Sequence, residues 1–231
     1  MAIRDDMANT YPGLSENQLD AYTATEIENQ ENSNKYEFIE YHKWSFNSAW
    51  YTSIIGNLVL SARSEFGYLG YYNADIGTSP FEKFNVGGSG MMGYNLYGTD
   101  IVALRGYADG TLTPQTTVKR NGANVRIDDG NVYIKYTLEM RYPFSLNPSA
   151  TIFGLAFLEG GNCWQKIDQF NPFMIKRSAG IGLRAFLPMF GMLGIDWGYG
   201  FDLPNASDTP PDEIRRGYHG SEFHFTMGQQ F

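Results

Sequence analysis

The feature that most limits what this chain can fold into is a two-residue alternation that returns along most of its length. From Leu193 to Phe201, the bulky residues Leu193, Ile195, Trp197, Tyr199 and Phe201 alternate with Gly194, Asp196, Gly198 and Gly200. Successive side chains of an extended strand point to opposite faces, so this segment reads as a strand with one large apolar face and one small or polar face. Val132–Tyr142 repeats the pattern, with Val132, Ile134, Tyr136, Leu138, Met140 and Tyr142 on one side and Tyr133, Lys135, Thr137, Glu139 and Arg141 on the other. Weaker versions occupy Phe38–Tyr51, Leu58–Tyr68, Thr151–Gly160, Ala179–Leu187 and Phe223–Phe231. Aromatic residues make up 16% of the chain and there are 26 glycines. Aromatics favour strands and glycine is costly inside helices, so composition agrees with an all-β chain.

About seven such strands fit two architectures. In a soluble sandwich the apolar faces meet in a core, whereas in a membrane barrel they meet lipid while the polar faces line a lumen. Several segments approach the ~10 residues of a tilted spanning strand. The connections separate the two readings. Ser53–Asn57, Pro143–Ala150 and Pro188–Met192 are short, Gly70–Gly130, Gly161–Arg177 and Asp202–Gly220 are long, and the two kinds alternate strictly. Short turns at one end and long loops at the other are the asymmetry of an outer-membrane barrel. The expected fold is therefore a transmembrane antiparallel β-barrel, with Trp197 toward lipid and Asp196 toward the lumen.

Other classes fall away on simple grounds. No run reaches the roughly 18 apolar residues of a spanning helix. A formal charge of −8 supplies no basic footprint for nucleic acid. The single cysteine, Cys163, excludes an internal disulfide framework and a multi-cysteine metal site, and reads as a bystander thiol. His42, His219 and His224 lack metal-ligand spacing with acids or cysteines, and His224, opposite Phe223 and Phe225, reads as a lumen-facing structural histidine. Gly88-Ser89-Gly90-Met91-Met92-Gly93 matches G-x-G-x-x-G, but no helical period follows it, so a loop needing positive φ is expected rather than a dinucleotide site. Residues 1–35 hold seven acids against Arg4 and Lys35 and read as an acidic, solvated or disordered segment, leaving 36–231 as the barrel portion. Met1–Leu14 has no apolar signal-peptide region, so an exported protein would carry its signal upstream and this chain would be a fragment.

The most informative constellation lies in the longest connection, where Leu104-Arg105-Gly106-Tyr107 follows Gly93-Tyr94-Asn95-Leu96-Tyr97-Gly98. It resembles the (Val/Ile)-Arg-Gly-(Phe/Tyr) motif of the inward-folding loop in the BamA and TamA superfamily of outer-membrane assembly factors, with Leu104 in place of the β-branched residue. Leu138–Pro143 is similar to the family strand after that loop, with Glu139 as its inward glutamate. Phe157-Leu158-Glu159 looks like the next strand, with an aromatic and an acid two residues apart. Phe223–Phe231 resembles the C-terminal β-signal, carried by Phe223, Phe225, Met227, Gly228 and the final Phe231. Phe170–Phe173 and Gly191–Phe201 look most like the Bacteroidetes form of BamA.

The resemblance covers roughly residues 37–231 and implies the last seven strands of a sixteen-stranded barrel preceded by periplasmic POTRA domains. It implies insertion of unfolded outer-membrane proteins at a seam between first and last strands, with accessory assembly lipoproteins as partners and no catalytic residue, metal or cofactor. Physically, an always-charged Arg105 in a lumen calls for fork-shaped acceptors, which Glu139 and Glu159 provide, with Phe157 as a ring for cation–π contact. The functional alternatives are a passive channel whose lumen charges set ion selectivity and an outer-membrane hydrolase with loop-side carboxylates.

Overall fold

The computed structural model describes residues 39–227 apart from 75, 90–98, 121–122, 148–149, 189–190 and 205–219, together with scattered positions between 10 and 27. Seven long strands form one antiparallel sheet: β1 (Tyr41–Ile55), β2 (Leu58–Tyr71), β7 (Val132–Asn147), β8 (Ala150–Trp164), β9 (Lys176–Leu187), β10 (Gly191–Gly200) and β11 (Ser221–Met227), neighbours in that order. The described sheet is open, with β1 and β11 as its two edges. No described helix is long and apolar enough to cross a membrane, which leaves crossing by strands untouched.

The alternation dictates what each face carries. Trp44, Phe46, Trp50, Leu138, Met140, Leu158, Ile181, Leu183, Trp197, Phe223 and Phe225 lie exposed on one face. On the other, Ser61, Lys135, Glu139, Glu159, Ser178, Arg184, Asp196 and His224 are buried. That is inside-out relative to a soluble sheet, and it is what a strand between lipid and lumen requires.

Several strands run further than sequence suggests. β7 continues through Pro143, expected to open a turn, because the register shifts between Pro143 and Ser145. A bulge tolerates a residue without an N–H, so the proline costs no ladder bond there. β8 gains four residues beyond Gly160, with Gly161 paired to both Lys135 and Lys176. β9 likewise begins three residues earlier than Ala179. At the first short turn, β1 reaches Ile55 and the chain reverses at Gly56, whose φ of +57° suits glycine.

The long connection between β2 and β7 has structure of its own. It contains the parallel pair β3 (Phe84–Val86) and β4 (Asp100–Val102), then the hairpin β5 (Gln115–Arg120) and β6 (Ala123–Asp128). Phe84, Val86, Val102, Leu104, Tyr107 and Leu112 from this connection cluster with Leu69, Tyr133 and Cys163 on the sheet. Full burial of each large apolar side chain contributes about 1.5–3 kcal/mol, so this cluster is what keeps the connection folded against the inner wall. Cys163 is a buried member of it.

Candidate functional site

The site begins with the fold of the connection. β4 ends at Val102, and Leu104 then bridges antiparallel to Gly88, with the Leu104 N–H donating to the Gly88 carbonyl at 3.1 Å. Gly88 in turn donates to the Tyr107 carbonyl at 3.1 Å. Gly87 and Gly88 have φ of +128° and +78°, so the described start of the glycine-rich run serves as a tight backbone partner for the motif. Its remainder, Gly90–Gly93, lies outside the described residues, as does Tyr94–Gly98.

Arg105 is thereby carried to the inner wall, where it is only 7% exposed. Its backbone N–H donates to Glu159 Oε2 at 2.8 Å, its Nε to Glu159 Oε1 at 3.0 Å, and one terminal nitrogen to Glu159 Oε1 at 2.6 Å and Glu139 Oε1 at 2.5 Å. The guanidinium carbon stands 3.7 Å from the centre of the Phe157 ring. Glu139 and Phe157 are directly paired across β7 and β8, and Glu159 shares the face of Phe157 two residues on, so strand register alone places the three acceptors. A planar fork between two carboxylates and over a ring uses Nε and one terminal nitrogen of arginine in a fixed geometry, which a lysine would not match.

The structure adds groups that sequence reasoning left unconnected. Asp196 on β10, fully buried, lies 3.5 Å from the other terminal nitrogen of Arg105 and receives two hydrogen bonds from Arg184 of β9, at 2.7 and 2.6 Å. Arg141 donates to Glu139 Oε2 at 2.9 and 2.5 Å, two residues along the same strand face. Lys135 stands 3.9 Å from Glu159 and 3.6 Å from Glu65. His224 on β11 accepts the Gly106 N–H at Nε2 over 2.9 Å. The sequence signal for Arg184 and Asp196 was a lone charge in an inward row made mostly of small residues, and for Lys135, Arg141 and His224 it was a place in the polar row of an alternating strand. Which of them meet was invisible.

Gly106 and Tyr107 complete the seating. Gly106 has φ of +87°, and a Cβ there would meet Gly200 N and Ser178 Cβ at 3.0 Å. A Cβ on Gly198 would lie 2.7 Å from Gly106 N. Glycine is needed on both sides for loop and strand backbones to come this close. The fully buried Tyr107 donates its hydroxyl to the Arg177 carbonyl at 2.8 Å and accepts the Asp202 N–H at 3.3 Å. Arg177 and Asp202 pair above it at 3.0 Å. The Arg177 hydrogen bond, together with its charge, holds the Asp202 carboxyl below the ordinary carboxylate range against a smaller opposing effect of burial. Through Glu139, Glu159, Arg177, Asp196 and His224, residues 105–107 thus touch β7, β8, β9, β10 and β11 in turn.

Of the C-terminal residues singled out in sequence, Phe223, Phe225 and Met227 lie exposed on the outer face of β11, paired with Trp197, Ile195 and Leu193. Gly228 and Phe231 lie outside the described residues, as does His219. Among the described residues no group of histidine, cysteine and acidic side chains is arranged to hold a metal.

A sheet with an apolar outer face, a charged inner face and a long connection packed against that inner face defines a class: the wall of an outer-membrane β-barrel with an inward-folded loop. The sequence pattern of the Omp85 superfamily domain matches residues 27–231, and the chain belongs to that superfamily of outer-membrane proteins. No curated protein matches the chain. Among solved structures it is similar to the crystal structure of BamA from Haemophilus ducreyi lacking POTRA domains 1–3, at 19% identity and a TM-score of 0.49. The match covers 80% of this chain and 34% of that one, so the chain spans about a third of that structure's length.

Proposed function

We propose that this chain is the C-terminal part of a BamA-like insertase barrel, of the kind found in Bacteroidetes, and that it works by holding the Leu104–Tyr107 loop against the wall that leads to the last strand. The observation that carries this reading is the Arg105 fork between Glu139 and Glu159 over Phe157. A passive channel does not require its loop to be seated at this depth, whereas Leu104, Tyr107 and Leu112 are fully buried. Unfolded outer-membrane proteins are the proposed substrates, lipid and accessory assembly lipoproteins the proposed partners, and the chemistry is non-covalent. Phe223, Phe225, Met227, Gly228 and Phe231 are proposed as the β-signal, and residues 1–35 as an acidic segment outside the barrel wall. The test is Arg105→Ala in the intact protein, scored by the rate at which substrate barrels appear folded in the membrane. A marked loss supports the insertase reading, while unimpaired assembly rejects it in favour of a generic barrel.

A further inference from the structure

The edge strand β11 is held on its lumen side by a contact of an unusual kind. Its inward row is Glu222, His224 and Thr226, and His224 sits directly opposite Asp196 in the ladder with β10. From there the imidazole reaches past β10 and accepts the Gly106 N–H at 2.9 Å, in a site where His224 is 5% exposed. A histidine accepting at Nε2 carries its proton on Nδ1 and is neutral. The bond forms only when Gly106 lies flat on the Gly198–Gly200 backbone, because a shift of the loop by the width of one side chain carries the amide out of range.

We propose that His224 is a positioning residue, the catch through which the seated loop holds β11 against β10, so that unseating the loop and loosening β11 are one coupled event. The proposal rests on the reading of β11 as the seam strand for its consequence, but the coupling itself stands on geometry. Coupling of this kind is reciprocal at the catch itself: freeing His224 must loosen the loop, and lifting the loop must loosen β11, whereas fraying at Ser221 that leaves His224 in place does neither. A second β10–β11 link, from Trp197 Nε1 to the Ser221 hydroxyl at 2.8 Å, lies on the outer face away from the loop and serves as the contrast.

The test is hydrogen–deuterium exchange on the intact protein in lipid nanodiscs, followed in the segments 104–107 and 221–227. His224→Ala is expected to raise exchange in both segments together, by about five- to ten-fold, the effect of one buried hydrogen bond. His224→Gln, whose Oε1 occupies the place of Nε2 as acceptor, is expected to restore both. Ser221→Ala is expected to raise exchange only at the first residues of β11, ahead of His224, and to leave 104–107 protected. Gly198→Ala approaches from the other side and keeps the proposal open to failure if His224→Ala does not fold, since it lifts Gly106 without touching His224 and is expected to loosen β11. Either variant raising exchange in one segment while the other stays protected overturns the coupling, as does failure of His224→Gln to restore a folded protein. Substrate assembly by His224→Ala is read separately: coupled exchange with unchanged assembly upholds the catch and rejects the insertase role of the seam.

Discussion

Two long connections leave the same rim of the sheet and fold to opposite sides of it. The one between β2 and β7 turns inward, and after an apolar cluster has fixed it, it delivers Arg105 among Glu139, Glu159 and Asp196. The one between β8 and β9 turns outward and lays Phe170 edge-on against Phe66 and Trp164 at 5.5 and 5.2 Å, over Val132 and Ile134, while Phe173 stays 90% exposed. A charge carried inward finds opposite charges waiting on a polar wall, but one carried outward would find lipid. The inner connection can therefore be fastened by ions, whereas the outer one rests on apolar contact and on neutral hydrogen bonds such as that from the Asn162 amide to the Met174 carbonyl at 2.8 Å.

The largest break in that contrast is expected from Arg105→Ala. Glu139 keeps Arg141 and Asp196 keeps Arg184, but Glu159 keeps only neutral donors, the residue-105 backbone N–H and the Thr137 hydroxyl, with Lys135 distant at 3.9 Å, so the cost falls mainly there. Leaving a buried carboxylate without its partner costs about 3–5 kcal/mol, toward the lower end where lumen water screens it. Urea unfolding in lipid is the measurement, and Arg105→Lys is expected to recover little because it lacks the fork. A double-mutant cycle with Glu159→Gln that gave no coupling would refute the inner fastening.

On the outer face, Ile195→Lys is expected to destabilise by about 2–4 kcal/mol if this position lies near the bilayer midplane, whereas Gly194→Ala, one residue away, acts through packing against Arg184 and Thr226. Spin labels sharpen the assignment: oxygen accessibility at Trp197 and its absence at Asp196 is the expected result, and the reverse would invert the wall.

A smaller effect is expected at the outward connection. Phe170→Ala should lose about 0.5–1.5 kcal/mol of ring contact, and Phe173→Ala should change folding stability by less than about 0.5 kcal/mol. Equal losses at both, measured in the same unfolding assay, would mean that the outward lobe packs differently.

The smallest concerns acid. Burial pushes the Asp129 carboxyl up, but the hydrogen bond and charge of Lys83 together with hydrogen bonds from Gln165 and Thr116 outweigh it, leaving it below the ordinary carboxylate value. A depressed folded value means that its stabilisation is complete above about pH 4 and fades as pH falls through the folded pKa. Wild-type stability should therefore drop more steeply below about pH 4 than that of Asp129→Asn. Parallel pH profiles would exclude Asp129 as an anchor of the inward connection.

Much of this was legible in the chain. Period two separated the outer Trp197 from the inner Asp196, and loop lengths separated the rims, because both follow from local geometry that a strand imposes on its own residues. Strand ends were less legible: Pro143 looked like a turn until the bulge that accommodates it was seen. The hairpin β5–β6 was also missed, although Asn121-Gly122 between short alternating runs is the usual signal for one.

For the site, sequence motif and register together sufficed to place Arg105 with Glu139, Glu159 and Phe157, since three of the four lie on two adjacent strands whose pairing is nearly implied by their turn. Arg184, Asp196 and His224 could be placed on the inner face but not joined to the motif, because their contacts with it depend on how far a loop reaches across five strands. The sequence by itself determined which face of each strand meets lipid and which residue types line the lumen, both consequences of the two-residue period. Only the tertiary structure decided which charges meet, because that depends on the descent of one loop and on the close approach that Gly106 and Gly198 allow, neither of which any local pattern encodes.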